Sequence, residues 1–299
     1  MNKPFTVHLF LFIWVGLMAS SFVVSKNLLP FANSVASTGL RFLMAAVFML
    51  PFIVKFYSLT INRTLFARYL FASLFLVLFF VGLFESLKTT TALRTSVIYT
   101  LLPLLTVIIS FIRLNVKVSG RQLAGFILGS IAASWVLLAG NEHLQSMLIW
   151  NAGDTIFLLA CLSLSVHVVL IKQWAVGEPP ALSAFYILVC GSIILLPLLL
   201  LYGDISNIAW GNSAFWYSLL YLTLLTTIAT FLLQQYLLKT LGANRLLAFT
   251  YLVPAAVLLP SLLSSPQHLW YSLPGILLTF LALFLIVGVG ETAKYSYET

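Results

Sequence analysis

The side chains that could do chemistry in this sequence stand singly inside long apolar runs. Glu85 lies in the run LFFVGLFESLK, three residues before Lys88, and His167 lies in the apolar run that precedes Lys172. An unpartnered polar group in such surroundings is unfavourable, so each must be paired, hydrogen-bonded or solvated. Glu85 could exchange a proton or bind an amine, or could simply pair with Lys88 on the same helical face. Both interpretations stay open. His167 could titrate near neutral pH, although we favour a satisfied packing residue.

Three further polar residues share this setting. Arg41, near the start of an apolar run, could bind a carboxylate or a phosphate, or could extend its head group to a membrane interface. We favour the interface for Arg41. Gln234 and Gln235 are neutral and adjacent. Because neighbouring residues point in different directions around a helix, we expect at least one of the two to face a cavity.

The sequence lacks the residue sets that catalysis or metal binding would need. It contains no HExxH motif and no glycine-rich phosphate-binding loop. The adjacent acid and histidine, Glu142–His143, have no third partner, and Asp154 is a lone acid. Cys161 and Cys190 lie in apolar runs and are interpreted as small buried residues. We therefore expect no enzyme activity, no cofactor and no metal site.

The composition indicates that lipid, and not water, surrounds these residues. Of 299 residues, 62% are hydrophobic and only 7% are charged, whereas a soluble domain is about a quarter charged. The net charge of +8 does not indicate nucleic-acid binding, because the basic residues stand singly or in small groups between apolar runs. A spanning helix needs about 20 apolar residues, and such runs follow one another almost end to end.

Charged residues, Pro, Gly and Asn divide the chain into ten predicted membrane-spanning helices. Their approximate spans are 8–26, 34–54, 66–87, 94–112, 122–140, 153–173, 183–202, 215–238, 245–263 and 269–289. The first run continues to Lys26 and lacks a good cleavage site, so we interpret it as a retained helix and not as a signal peptide. The fold class predicted is an all-α integral membrane protein.

Lysine and arginine between the spans predict the orientation. Cytoplasmic loops of membrane proteins carry an excess of these residues. With a cytoplasmic N-terminus, eleven of the 15 lie on the inside, and Lys26, Arg41, Lys88 and Arg94 do not. The opposite orientation inverts this ratio. We therefore expect a multi-pass protein of the cytoplasmic membrane with both termini in the cytoplasm.

The chain repeats itself at about half its length. KTTTALRTSVIYTLLP (88–103) is echoed by KTLGANRLLAFTYLVP (239–254), and FVVSK ending at Lys26 is echoed by VVLIK ending at Lys172. We therefore predict two units, 1–145 and 146–299. Each unit would hold five helices, an odd number, so the second would enter the membrane upside down relative to the first. Such inverted repeats are typical of alternating-access transporters.

Each repeat keeps a proline inside an apolar span. Pro103 and Pro254 would leave the carbonyls of Tyr99 and Thr250 without their helical partners. In lipid such breaks are tolerated where they face protein or a wet cavity. A packing kink is the alternative, but the symmetric placement favours a hinge at each proline.

These residues resemble those of a known family. The pattern WVGLMASSFVVSK, the pair Arg41–Phe42, the two proline-containing spans and RQLAG from Arg121 to Gly125 are similar to those of EamA-type members of the drug/metabolite transporter superfamily. The resemblance covers nearly the whole chain. One departure is that the glutamates which usually close the fourth and ninth helices are replaced here by Asn115 and Pro266, which weakens any substrate inferred by analogy.

The resemblance implies ten helices in two inverted five-helix repeats around a central cavity, with the fifth and tenth helices outside it. Candidate cavity-lining or substrate-binding residues are Trp14, Ser20, Glu85, Ser96, Tyr99, Tyr186, Gln235, Tyr236 and Thr250. Such a lining has few fixed charges. It suits an uncharged, zwitterionic or amphipathic metabolite better than a nucleotide sugar, whose pyrophosphate would require several cationic side chains.

The functional hypothesis is a secondary transporter, acting as an exporter of amino acids or related small metabolites, with Glu85 or His167 as candidates for proton coupling. Its partners would be a small-molecule substrate and the lipid bilayer, with no nucleic acid; the oligomeric state stays open, and a monomer is plausible. Two alternatives remain open: an intramembrane enzyme, for which no residue set is present, and a receptor or scaffold derived from the same fold.

Overall fold

A computed structural model describes residues 4–115, 118–139, 149–175, 177–241, 243–264 and 266–287. These residues are helical almost throughout, and no strand occurs among them. The helices of the first half are α1 (Pro4–Leu28), α2 (Ser34–Phe56), α3 (Arg63–Leu87), α4 (Ala92–Tyr99), α5 (Leu102–Leu114) and α6 (Gly120–Ala139). Those of the second half are α7 (Ala152–Trp174), α8 (Pro180–Tyr202), α9 (Ser213–Thr223), α10 (Thr230–Leu241), α11 (Ala243–Ala248), α12 (Val253–Ser264) and α13 (Pro266–Val287). The predicted boundary between residues 145 and 146 lies outside the described residues.

Short polar residues begin several of these helices. The side chains of Asn33, Asn62 and Thr91 accept hydrogen bonds from the third residue after them, at the starts of α2, α3 and α4. At the start of α7, Asn151 and Asp154 form a reciprocal capping box. These caps satisfy amide groups that a helix leaves without partners at its N-terminus. At the other end of α5, Asn115 adopts a left-handed conformation with φ of 51°, which ends the helix.

Within the described residues, nine segments are long and apolar enough to cross a membrane. They correspond to nine of the ten predicted spans. The ninth predicted span, 245–263, corresponds to a shorter apolar stretch, Arg245–Pro260, so the count of ten stays a prediction. Many large apolar side chains, such as Ile112 and Leu201, are exposed on the outside of the bundle, as expected where lipid is the solvent. The protein is a multi-pass, all-helical membrane protein.

Three apolar helical segments are interrupted in the middle. Between α4 and α5, the amides of Thr100 and Leu101 bond three residues back, to Val97 and Ile98, just before Pro103. A 3-10 turn, Phe249–Leu252, separates α11 from α12, which contains Pro254. A π-helical segment, Leu224–Ala229, joins α9 to α10.

The helices pack in a small number of long pairs. In the interior, α3 packs along α7 and α2 along α8, while α6 packs along α13. Glycine allows close approach in the first pair, because a Cβ added at Gly82 would lie 2.8 Å from Cβ of Ala160. In the third pair Trp135 Nε1 donates to the carbonyl of Tyr271 at 3.1 Å.

The bundle has two faces that define the site. We call the face where α1 begins the near face and the face where α1 ends the far face. Hydrogen bonds place other elements at the far face: Asn33 Nδ2 donates to the carbonyl of Tyr202 at 2.8 Å, and Thr90 Oγ1 donates to Asp154 Oδ1 at 2.9 Å. It follows that α7 begins at the far face and ends at the near face.

Candidate functional site

A cavity of about 460 Å³ lies between the two halves of the chain. Its walls come from α1, α2, α3, the α4–α5 break, α7, α8, the π-helical segment, α10 and α11. At its near end the cavity is lined by Lys172 and by the loop residues Ala175, Gly177 and Glu178. At its far end lie the rings of Phe22, Phe79 and Tyr99 together with Leu83. The cavity therefore reaches the near face and ends below the far face.

Arg41 of α2 is the charged residue deepest in this wall. Its side chain is fully buried. Nε donates to Thr227 Oγ1 at 2.5 Å, and Nη2 donates to the carbonyl oxygen and the hydroxyl of Thr226 at 3.0 and 3.1 Å. The guanidinium lies 4.5 Å from the ring centroid of Phe80, a cation–π distance. The structure thus places Arg41 inside the bundle and not at the interface that we favoured from the sequence.

The π-helical segment explains how a helix can hold Arg41. One wide turn displaces backbone carbonyls from the regular i→i−4 pattern and makes them available to other donors. The carbonyl of Thr226 accepts from Arg41 and from Thr230 Oγ1, the latter at 2.7 Å. The hydroxyl of Thr227 accepts from Arg41 while it donates to the carbonyl of Leu222 at 2.9 Å. The threonine run TTIAT therefore supplies three acceptors to one guanidinium.

His167 of α7 also lines the cavity. Its Nδ1 lies 2.8 Å from the carbonyl oxygen of Ala72. Because a carbonyl can only accept, Nδ1 carries the hydrogen, and Nε2 of the neutral ring is then an acceptor. The nearby wall contains a second polar link, from Tyr69 Oη to Ser183 Oγ at 3.0 Å.

Four predicted site residues line the cavity: Trp14, Tyr99, His167 and Gln235. Trp14 is fully buried, and its Nε1 has no acceptor within the described part of the chain. Tyr99 packs edge-on against Phe22 with centroids 5.4 Å apart. Gln234 lines the cavity beside Gln235.

Five other predicted residues lie behind or beside this wall. Ser20 accepts from Tyr221 Oη at 2.8 Å, and its neighbour Ser21 lines the cavity in its place. Ser96 and Thr250 donate to carbonyls three residues back, at 2.7 and 2.6 Å. The remaining two pack against other rings. Tyr186 lies 5.5 Å from Tyr69 and Tyr236 lies 5.5 Å from Phe10, measured between ring centroids.

Glu85 lies away from the cavity, near the far end of α3. Its Oε1 accepts from Lys88 Nζ at 2.8 Å, and the two side chains are 38% and 47% exposed. The sequence could not decide how deep in the membrane Glu85 lies, because a shift of one helical turn changes a buried position into an interfacial one. The observed pair matches the interfacial interpretation of the Glu85–Lys88 spacing.

Pro103 and Pro254 sit next to the helix interruptions and are buried. Neither lines the cavity, but Leu102, which precedes the first proline, does. The interruptions bring Tyr99 and Leu247 to the wall. Whether these breaks bend during function stays a prediction.

The far face is closed by a polar cluster above the aromatic end of the cavity. Arg94 donates through Nε to Asp154 Oδ1 at 3.1 Å and through Nη2 to Asp154 Oδ2. Nη2 also donates to the carbonyl of Ile149 at 3.0 Å. Lys26 Nζ donates to the carbonyls of Leu87 and Thr90. We call Lys26, Thr90, Arg94 and Asp154 the far-face cluster; it joins α1, the α3–α4 connection, α4 and α7.

Sequence reasoning missed most of these polar contacts. The far-face cluster joins residues about sixty positions apart, and the Arg41 contacts join positions about 185 apart. The polar run TTIAT was the available signal, because two adjacent threonines and a third three residues later present hydroxyls at membrane depth. No group of three or more His, Cys, Asp or Glu residues that could hold a metal ion occurs among the residues described.

Comparisons with known proteins agree with this architecture. A relative from Bacillus subtilis (strain 168), "Uncharacterized transporter YyaM", is 23% identical over 304 aligned positions, which cover 98% of this chain and 97% of that protein. A solved crystal structure aligns with a TM-score of 0.67 at 15% identity, covering 95% of this chain and 96% of that one, so the two share a fold. The model of the EamA-like transporter family matches residues 6–138 and 151–288. Because these matches span most of the chain, the protein belongs to the EamA-like transporter family.

Proposed function

We propose that this protein is a secondary transporter that moves small metabolites across the cytoplasmic membrane by alternating access, in the export direction. The observation that carries the proposal is the central cavity, which reaches the near face and is closed at the far face by the far-face cluster. A cavity open at one face and sealed by an ion pair at the other is the arrangement that one half-cycle of such a transporter requires. The second half-cycle would open the far face and close the near one.

The packing of the helices supports two inverted five-helix repeats. The family model matches the two halves separately. Contacts between the halves come in mirrored pairs: α3 and α5 of the first half pack on α7, while α9, α10 and α12 of the second half pack on α1. The proposal takes α11 and α12 together as the ninth span of ten, and the join of the repeats near residues 145 and 146.

We assign the near face to the cytoplasm. Of the basic residues that the structure describes between the predicted spans, most lie at the near face, as the positive-inside rule requires for a cytoplasmic side. Both termini would then be cytoplasmic, in the inner membrane. The described cavity would load from the cytoplasm, which favours export of an internal metabolite.

The cavity wall supports a small amphipathic substrate. Its volume of about 460 Å³ lies in the range of small-molecule sites, about 300–1,000 Å³. Aromatic and aliphatic side chains dominate the wall; Arg41 lies deep in it, and Lys172 and Glu178 line its near end. Amino acids or related zwitterionic compounds fit this distribution. Of the two residues considered for proton coupling, His167 lies in the cavity wall and Glu85 does not. His167 is therefore the candidate for proton coupling in this proposal.

The test compares metabolites in the spent medium of cells that express the native protein, Ser21→Phe or an empty vector. Ser21 lines the cavity, and a phenyl group there would occupy part of it. Ser58→Phe is the matched control, because Ser58 is exposed in a loop. We expect one or more small metabolites to accumulate with the native protein and Ser58→Phe, and not with Ser21→Phe. No difference between the native protein and the empty vector, at equal membrane expression, would contradict the proposal.

A further inference from the structure

The buried charge of Arg41 lacks an acidic partner among the described residues. Two ion pairs of the structure are Glu85–Lys88 and Arg94–Asp154. Arg41 belongs to neither. A charge buried at membrane depth is unfavourable unless it is paired or hydrogen-bonded, and it marks a functional position more often than a structural one. The far-face cluster shows how this chain holds an arginine for structural reasons, with a carboxylate against it.

Arg41 also keeps part of its hydrogen-bonding capacity unused. A guanidinium has five N–H donors. Nε and Nη2 bond to Thr226 and Thr227, whereas Nη1 is buried and has no acceptor within the described residues. Three contacts with the threonines and the ring of Phe80 fix the plane of the group. The result is a rigidly held guanidinium in the cavity wall with one nitrogen still to be satisfied.

The other charges of the cavity lie elsewhere. Lys172 and Glu178 line its near end, and Glu178 is the one acidic residue that lines it within the described ranges. The far part of the cavity therefore carries the positive charge of Arg41 beside neutral groups. Trp14 Nε1 is a second buried donor without an acceptor in the described structure, and it lines the same cavity. A ligand that satisfies these donors must bring acceptors and, to balance Arg41, a negative charge.

We propose that Arg41 is the anchor for a carboxylate of the transported substrate. The substrate is then a small organic acid, with its carboxylate toward Arg41 and an apolar body against Leu76, Phe79 and Phe80. A singly charged carboxylate can accept a charge-assisted hydrogen bond from Nη1, while a phosphate dianion would need more donors than the wall offers. This assignment rests on the proposed function and narrows it, because it excludes uncharged substrates, which the sequence left open.

Binding in detergent tests the assignment without requiring transport. The probes are 3-phenylpropionate, its uncharged amide 3-phenylpropionamide, and the cation phenethylamine, added at millimolar concentration to the purified full chain. Thermal unfolding reports binding, because a ligand that binds only the folded protein raises the unfolding temperature. We expect stabilisation by the carboxylate and much less by the other two.

Variants at position 41 show whether the guanidinium is responsible. Arg41→Gln removes the charge and should weaken carboxylate binding by about tenfold or more, the scale of a lost charge-assisted hydrogen bond. Arg41→Lys keeps the charge and should retain part of the affinity. Arg113→Gln, a change at an exposed arginine at the end of α5, makes the same change in net charge and should bind like the native protein. Arg41→Met, with an apolar chain of similar length, provides a folded variant if the glutamine is unstable.

Three outcomes would overturn the assignment. The first is equal binding of the amide and the carboxylate to the native protein. The second is native carboxylate affinity in folded Arg41→Gln or Arg41→Met, which would make Arg41 a structural brace. The third is the absence of 3-phenylpropionate binding to the native protein. These outcomes differ from a failure of the proposed function. If the protein binds carboxylates through Arg41 but moves no metabolite, the role of Arg41 stands and the transport function is contradicted. If it exports only uncharged compounds, the transport function stands and the role of Arg41 is contradicted.

Discussion

Arg94 and Asp154 connect the two halves of the chain at the far face, through two hydrogen bonds between the guanidinium and the carboxylate. The Nε–Oδ1 distance is 3.1 Å, and both side chains are buried. Asp154 also caps α7 and accepts from Thr90. The pair thus closes the far end of the cavity with the residues that begin α4 and α7.

Removal of either partner should destabilise the described state strongly. Breaking a buried ion pair from one side costs about 3–5 kcal/mol, because the remaining charge is left without a partner. We expect Arg94→Gln and Asp154→Asn each to lower the unfolding temperature in detergent, and the double variant to lose much less than the sum. Lys88→Gln, which breaks the exposed pair on the same face, should change it little. Strictly additive losses would show that the two side chains act independently.

Glu85 should be dispensable for transport. Its pair with Lys88 is exposed, and exposed pairs contribute about 0–1 kcal/mol. We therefore expect Glu85→Gln and Lys88→Gln to export the same metabolite as the native protein at a similar rate per molecule. The spent-medium comparison measures this directly. Loss of export in Glu85→Gln with normal export in Lys88→Gln would contradict this prediction and would show that Glu85 takes part in transport.

The threonines that hold Arg41 should matter for its position. Thr227→Val keeps the shape of the side chain and removes the acceptor of Nε. We expect a loss of about 1.5–3 kcal/mol in stability, as for hydrogen bonds to charged groups, and weaker binding of 3-phenylpropionate. Thr223→Val is the matched control, because Thr223 is buried and its hydroxyl donates to the carbonyl of Leu219 within the same helix. If both variants had the same stability and the same affinity for 3-phenylpropionate, Thr227 would have no special role in positioning Arg41.

Two glycines in neighbouring parts of the bundle should respond in opposite directions to alanine. A Cβ at Gly82 would meet Cβ of Ala160 at 2.8 Å, whereas a Cβ at Gly16 meets nothing within 4 Å. Gly82→Ala should cost about 1–3 kcal/mol through overpacking of α3 against α7. Gly16→Ala should stabilise α1 by about 0.5–1 kcal/mol, since alanine is the better helix former. The unfolding temperatures of both variants test these two predictions. A higher unfolding temperature for Gly82→Ala would contradict the close packing of α3 and α7.

The spans of the helices could be predicted because lipid imposes a length and a composition on each of them. Nine predicted spans correspond to described helices, including those interrupted next to Pro103 and within residues 224–229. The interruption by the π-helical segment was not predicted, since no proline or glycine marks it. Its threonines are stabilised there by Arg41, a partner about 185 positions away.

The cavity wall was predicted only in part, for a related reason. Trp14, Tyr99, His167 and Gln235 lie in it, while Ser20, Ser96 and Thr250 bond to neighbouring groups behind it. Which side of a buried helix faces a cavity depends on the rotation of that helix against its neighbours. A sequence that is apolar all round gives little information on this rotation. Arg41 shows the same limit, because it lies only about two helical turns after the start of α2 at Ser34, and its long side chain could have reached the interface.

The most direct test of the central claim is the reactivity of one cysteine in the cavity from each side of the membrane. Ser21→Cys would be made in a background of Cys161→Ala and Cys190→Ala, both native cysteines being buried. A membrane-impermeant thiol reagent is applied to right-side-out and to inside-out vesicles, with and without Asp154→Asn. We predict reaction from the cytoplasmic side alone in the native background, and added reaction from the opposite side when Asp154→Asn weakens the far-face cluster. Equal reaction from both sides in the native background, or no change with Asp154→Asn, would contradict alternating access through this cavity.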